Sequence, residues 1–326
     1  MALKLSAAPY GRLTTSAGSR GWMTALLLLP LALFSGVYYG LRPILLLAVG
    51  VAAANVCELL ACGLLKRCPT LFDGSATVTG LLIGLLMSPL SPYWLPALAA
   101  AFAIWVVKMP FGGNGHEPFV PAAAGIAVVT QCFPAQLFTY PAPNLIQPLP
   151  LWDVSAAVSE TSPAALLASG TAPAYSLPAW LLGQIPGPIG ATAAVLLIAC
   201  GIGLFARRLA SPLITLPYLL TCAVWALAFP RVAGDPLSGL IGEMCSGYLL
   251  FSGFFLLPAA PIAPRHPLAR AVYGVGGGAL TMLLRANGRF EASACFAVLL
   301  MNALAPLIDR GCWRLAHRFV RKGGAL

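Results

Sequence analysis

Charge is scarce in this chain. Of 326 residues, 9% are charged and only nine are acids, whereas 59% are hydrophobic and the mean hydropathy is +0.87. A composition so poor in solvated side chains excludes a soluble enzyme or binding module, because there is too little polar surface to cover a globule. The nine cysteines (Cys57, Cys62, Cys68, Cys132, Cys200, Cys222, Cys245, Cys295 and Cys312) include no C-x-x-C pair. Their spacing therefore offers no metal or cluster site, and they read as small apolar packing residues. Acids are absent from residues 1–21, which carry Lys4, Arg12 and Arg20, and Lys and Arg are absent from 134–185. The net charge of +10 is distributed in a way that makes a nucleic-acid partner unnecessary, as the order of the chain shows.

What the chain has in quantity is long apolar runs. They fall at about 22–39, 44–64, 76–87, 93–107, 119–133, 189–205, 213–229, 237–257, 269–284 and 292–308. Apolar runs of this kind read as transmembrane helices. No A-x-A-like cleavage site follows the first, so it reads as an uncleaved helix rather than a signal peptide. Ten spans with both termini cytosolic place Lys4, Arg12, Arg20, Lys66, Arg67, Lys108, Arg207, Arg208, Arg265, Arg270, Arg310, Arg314, Arg318, Arg321 and Lys322 inside, 15 of the 19 basic residues. Arg42, Arg231, Arg285 and Arg289 are left outside. That asymmetry sets the orientation, and the basic tail can also touch anionic membrane lipid.

The expected fold is all-α and polytopic, with about ten transmembrane helices in two inverted five-helix halves. The first half covers residues 1–133. An extracytoplasmic loop at 134–185, rich in Pro, Ser, Thr and Ala, follows. The second half with its basic cytosolic tail covers 186–326. Five spans per half give the halves opposite orientations, a plan common in transporters. A faint internal echo fits it: Asn114-Gly115-His116-Glu117 follows the fourth span, and Asn287-Gly288-Arg289-Phe290-Glu291 follows the ninth.

The stretch from Lys108 to Gly125 differs from the apolar runs on either side. It holds Gly112, Gly113, Gly115 and Gly125, Pro110, Pro118 and Pro121, and the hydrogen-bonding side chains of Lys108, Asn114, His116 and Glu117. Proline breaks the helix, and glycine lets backbone approach a ligand closely. At membrane depth such backbone survives only within protein or beside a water-filled cavity. The stretch reads either as a ligand pocket or as a tight cytosolic turn. Two acids, Glu58 and Glu243, lie inside apolar runs and read either as ion-path residues or as hydrogen-bonded helix contacts.

Several motifs together resemble the RnfD family, the D subunits of Rnf electron-transport complexes, to which the B subunit of the sodium-translocating NADH:quinone reductase is related. They are Phe72-Asp73-Gly74-Ser75-Ala76 leading into Thr79-Gly80-Leu81-Leu82; Lys108 with Phe111-Gly112-Gly113, Gly115 and Pro118-Phe119; and the Gly183–Gly190 run. Asp235-Pro236-Leu237, Phe254-Phe255, the Phe296–Asn302 run and Pro306-Leu307-Ile308-Asp309-Arg310 follow in family order.

The resemblance implies membership, in a bacterial cytoplasmic (inner) membrane, of a complex that exchanges electrons between ferredoxin and NAD while moving Na+ or H+. The other complex subunits and a flavin transferase would be its partners. It also implies FMN attached covalently through a phosphoester, and riboflavin or another flavin held noncovalently among the helices. On that reading Lys108, Gly112, Gly113, Asn114, Gly115, Asp73, Ser75 and Thr79 form the noncovalent site, although Asp73 can equally cap the third span. Glu58 and Glu243 belong to an ion pathway.

The covalent acceptor position falls on Ser162, with Thr161 second, in Ala156-Ala157-Val158-Ser159-Glu160-Thr161-Ser162-Pro163. An ordinary Ser-Pro loop stays open as the other reading. Departures from the family pattern stand at Ala156, Glu160 and Thr161 in this run. Others are Glu117 and Val120, where the family has asparagines, and Ala259, where it has an acid. A flavin-free solute permease or channel on the same fold, or a purely structural subunit, are the alternative functions.

Overall fold

The computed structural model describes residues 17–66, 71–142, 149–152, 158–231, 236–259, 262–287 and 291–323. Each of the ten apolar runs contains helix in it, although 189–193 is irregular and the run 237–257 is interrupted at 246–248. The first five are α1 (Ala17–Tyr39), α2 (Leu41–Leu64), α3 (Ser75–Leu86), α4 (Trp94–Phe102, continued as a π-helical turn over Ala103–Lys108) and α5 (Pro121–Cys132). The loop region then carries α6 (Pro134–Leu137), a two-residue antiparallel pairing of β1 (Tyr140–Pro141) with β2 (Ser159–Glu160), α7 (Pro163–Ala168) and α8 (Leu177–Leu182). The rest is α9 (Ala194–Ala206), α10 (Pro212–Ala228), α11 (Pro236–Cys245), α12 (Leu249–Phe251, continued as a π-helical turn over Ser252–Leu256), α13 (Pro267–Asn287) and α14 (Ser293–Gly323).

Three of the described helices are long and apolar enough to cross a membrane: Gly18–Tyr39, Leu41–Leu64 and Ser293–Leu315. The α11–α12 pair, bent by 63°, makes a fourth if taken as one span. The chain is thus an all-α, multi-pass membrane protein. Other apolar helices are short: α3 and α5 have 12 residues each, roughly 18 Å of helix against a hydrocarbon core of about 30 Å.

How α3 ends explains why it can be short. Its last carbonyls would be orphaned in an apolar interior. Instead Gly190 N–H donates to Leu85 O at 2.7 Å, Ile189 N–H to Met87 O at 3.0 Å, and the Tyr248 hydroxyl to Leu86 O at 2.7 Å. An irregular, buried segment before α9 therefore completes a helix of the first half.

Small residues let the helices close on one another, as in other membrane bundles. A Cβ on Gly80 of α3 would sit 2.6 Å from Val51 Cα of α2, and one on Gly274 of α13 would sit 2.4 Å from Ile214 O of α10. The buried core runs continuously through both halves.

Arg42, expected in a short external turn, is instead 2% exposed. Its guanidinium donates to Pro89 O at 2.9 Å, Ser91 O at 3.1 Å and Leu151 O at 2.6 Å, and lies 4.9 Å from the centre of the Tyr93 ring. It ties the start of α2 to the turn after α3 and to the outer loop. Hydrogen bonds from a charged group contribute about 1.5–3 kcal/mol. Arg42→Met is expected to lower the thermal midpoint of the purified protein by several degrees, while Arg207→Met, on the surface, leaves it unchanged. Equal midpoints would contradict the clamp.

Candidate functional site

Lys108 ends the π-helical turn of α4 and points into the bundle. Its Nζ lies 2.9 Å from Glu58 Oε2 of α2, and the two side chains are 0% and 1% exposed. The same Nζ donates to Ser75 Oγ, at the start of α3, at 2.7 Å. Glu58 is therefore held in a buried ion pair, and three helices meet on one ammonium. The glycines after it follow from backbone conformation: Gly112, Gly113 and Gly115 have φ of 122°, 88° and 91°, a region that side chains other than glycine rarely adopt. This reverses the chain, and Pro121 then starts α5 at its first turn, where a proline's missing N–H is harmless.

Beside this junction is a cavity of about 520 Å³. Ser75, Thr79, Asn114 and Gly115 line it. Lys108 stands one layer behind, reaching the cavity wall through Ser75. Gly112, Gly113 and Asp73 are not part of the lining. Asp73 belongs instead to a 3-10 turn against α1, where a Cβ on Gly21 would meet its carbonyl at 2.2 Å. Nor does it cap α3: the cap position is Gly74, with φ of 66° and no side-chain bond.

Residues not foreseen complete the walls. Arg20 and Thr24 come from α1, Phe254 and Phe255 from the π-helical turn after α12, and Leu204 from α9. The cavity thus lies between the two halves of the chain. Its apolar walls carry two phenylalanines, 5% and 7% exposed, and its polar groups converge from α1, α3 and the glycine-rich segment. Such a volume and lining suit a planar heteroaromatic ligand with polar edges.

Glu117 is the carboxylate in the lining. Burial raises its pKa from the usual 4.5 to about 7; the Lys108 charge opposes the rise and the Glu58 charge adds to it. The site can therefore exchange a proton near neutral pH.

The second half has its own buried ionic cluster. Arg285, near the end of α13, puts Nε 3.3 Å from Glu243 Oε2 of α11, and Arg231 Nε lies 3.2 Å from Glu243 Oε1. Arg285 also donates to Glu243 O at 2.9 Å and to the Ser246 hydroxyl. Close by, the Ser162 hydroxyl donates to Glu291, and Ser162 Oγ accepts the Ala165 N–H at 3.2 Å as the N-cap of α7.

Ser162 was expected in an exposed loop. It is 4% exposed, because capping α7 and bonding Glu291 draws it inward. Thr161, beside it, is exposed. Ala156 and Ala157 lie outside the described residues.

The model of the NQR2, RnfD, RnfE family matches residues 4–315. This chain belongs to that family. It is similar to the D subunit of the Na(+)-translocating ferredoxin:NAD(+) oxidoreductase complex of Acetobacterium woodii, with 31% identity over 313 residues, covering 94% of this chain and 93% of the relative. The D subunit of the proton-translocating ferredoxin:NAD(+) oxidoreductase complex of Clostridium ljungdahlii is 28% identical over 314 residues, with 94% and 93% covered. The D subunit of the ion-translocating oxidoreductase complex of Stutzerimonas stutzeri is 31% identical over 314 residues, covering 88% of each chain.

Within this member of the NQR2, RnfD, RnfE family, three of the departures noted in the sequence meet in one place. Glu117, Val120 and Ala259 all line the cavity. The alanine at position 259 and the carboxylate at position 117 thus bear on the same space.

Proposed function

We propose that this protein is a membrane subunit of an ion-translocating electron-transport complex of the ferredoxin:NAD oxidoreductase type, and that it carries flavin. The observation that carries the reading is the family match along nearly the whole chain, and the cavity supplies a place for the chemistry. A noncovalent flavin, riboflavin or a relative, would lie between Phe254, Phe255 and the α3 wall. Its polar edges would meet Ser75, Thr79 and Asn114. Flavin supplies the electron chemistry; the protein supplies position and electrostatics. Lys108, charged and buried behind Ser75, favours negative charge arriving in the cavity, because a fixed cation acts strongly in a low-dielectric site.

In this reading the protein has ten spans in two inverted halves (1–133 and 186–326) joined by the outer 134–185 region. It sits in a bacterial cytoplasmic membrane with both termini cytosolic and with the other complex subunits as partners. The ionic clusters support the inverted plan: each half buries a cation near the end of its fourth helix, Lys108 or Arg285, against a carboxylate of an earlier helix in the same half, Glu58 or Glu243. These pairs are candidate stations of an ion pathway.

Covalent FMN would be carried by Ser162. Its hydroxyl is engaged with Glu291, and a phosphoester there would bring further negative charge against that carboxylate. Burial pushes the Glu291 pKa up and the Arg285 charge opposes that rise, so Arg285 is the compensating cation at hand. A flavin transferase reaches Ser162 only if the α7 cap opens, whereas Thr161 is already open. Co-expression with such a transferase is expected to give in-gel flavin fluorescence that Ser162→Ala abolishes and Thr161→Ala largely keeps. The reverse pattern would move the site by one residue; no fluorescence in either variant or in the parent would remove covalent flavin from the reading.

A further inference from the structure

We propose that the basic cleft where α13 begins and α14 leaves the bundle binds the headgroup of an anionic phospholipid, whose acyl chains lie along the exposed aliphatic residues of these two helices. This placement rests on α13 and α14 being membrane helices and is independent of what occupies the cavity. The cleft, of about 590 Å³, is lined by Arg265, Asp309, Arg310, Trp313 and Arg314, among others. All three arginines are exposed, and among the described residues no ion pair involves them. The one acid, Asp309, is occupied in accepting the His266 N–H at 3.0 Å, just before the first turn of α13. The start of that 21-residue helix adds the positive end of its dipole to the arginines. Three guanidiniums with one engaged carboxylate make a site for a phosphate oxyanion.

The surroundings decide which phosphate. Trp313 is 59% exposed at the cleft, the position a tryptophan takes at a membrane interface. Two stripes of exposed aliphatic side chains run from the cleft along the helices. On α13 they are Leu268, Val272 and Val275, and on α14 Leu307, Leu304 and Leu300, each stripe keeping helical spacing on one face. A free phosphate ion has no use for these stripes, and an acidic soluble partner would bury the arginines without them. A phospholipid uses both: its phosphate meets the arginines and its chains follow the stripes.

The test uses the full chain in detergent, titrated with phosphatidylglycerol or phosphatidylcholine brominated on the acyl chains. Bromine quenches tryptophan at contact, and a Trp313→Phe variant isolates the contribution of that residue from the other tryptophans. The Trp313 signal is expected to be quenched at phosphatidylglycerol concentrations at least about tenfold below those of phosphatidylcholine. Arg265→Gln/Arg310→Gln/Arg314→Gln should erase the preference. Arg314→Gln alone, an exposed change that leaves folding intact, should weaken it about fivefold.

Millimolar inorganic phosphate should not displace the lipid. Equal quenching by the two lipids, or a preference that survives loss of the arginines, overturns the proposal. Displacement by phosphate would assign the cleft to a soluble anion instead. Loss of assembly with partner subunits in the arginine variants, with no lipid preference in the parent, would assign it to a protein.

Discussion

Replacing Lys108 by methionine is expected to destabilise the protein by about 3–5 kcal/mol, because it removes the cation from a buried carboxylate. Glu58 and Lys108 are 1% and 0% exposed and 2.9 Å apart, so the abandoned charge cannot turn to water. The double variant Lys108→Met/Glu58→Leu should recover most of the loss, since a well-packed apolar pair of similar size often costs nothing relative to a buried ion pair. Thermal and denaturant unfolding of the parent, the single and the double variant in the same detergent measures both terms. A single variant as stable as the parent would show that the pair is not formed. A double variant as unstable as the single would show that Lys108 acts through Ser75, or through the turn it terminates, rather than through Glu58.

The second large effect concerns pH. The folded pKa of Glu117 is raised from 4.5 to about 7, so between these values the folded state binds a proton that the unfolded state releases. The stabilisation tied to that proton is fully present below pH 4.5 and is lost as pH rises through 7. At one pKa unit per 1.36 kcal/mol, the loss amounts to at most about 3 kcal/mol. The Lys108 and Glu58 charges act on the carboxyl, Arg20, Ser75, Thr79 and Asn114 share the cavity lining with it, and none of them is altered by Glu117→Gln.

The parent should therefore lose stability from pH 5 to pH 8 relative to Glu117→Gln, and the variant should be the more stable of the two at pH 8. Parallel curves would mean that Glu117 keeps an ordinary carboxylate pKa. A ligand that becomes anionic in the cavity should bind more weakly above pH 7 in the parent than in the variant, because the ionised Glu117 repels it.

Much of this architecture was legible in the sequence. Helices at all ten apolar runs follow from hydropathy and from the Pro and Gly residues that punctuate them. The glycine-rich turn was legible because three of its glycines have backbone that other residues avoid. Lys108 and Asn114 could be placed together because they belong to that turn, whereas Ser75 and Thr79 were joined to them by the family resemblance alone.

Pairings across distant sequence were not legible. Glu58 lies 50 positions from Lys108, and nothing local tells an ion-path carboxylate from a salt-bridged one. Arg42 read as a loop residue because the carbonyls it satisfies belong to two segments distant in sequence, the turn after α3 and the outer loop. Ser162 read as exposed because a Ser-Pro dipeptide suits both an open polar loop and a helix N-cap, and because Glu291, which helps to draw it inward, lies far along the chain. Phe254 and Phe255 could not be assigned to the cavity without knowing that the two halves face each other there, nor Arg20 and Thr24 without knowing that α1 packs beside α3.

Bound flavin is the central claim, and the most direct test is an absorbance spectrum. The full chain, co-expressed with a flavin transferase, would be purified and scanned before and after denaturation with removal of small molecules. The expected result is a flavin spectrum in the native protein that falls, but does not vanish, on denaturation. The released part would come from the cavity and be reduced by Asn114→Ala with Thr79→Leu; the retained part would be covalent and depend on Ser162. A colourless native protein, able to assemble with its partner subunits, would contradict flavin carriage and leave a flavin-free permease or a structural subunit in its place.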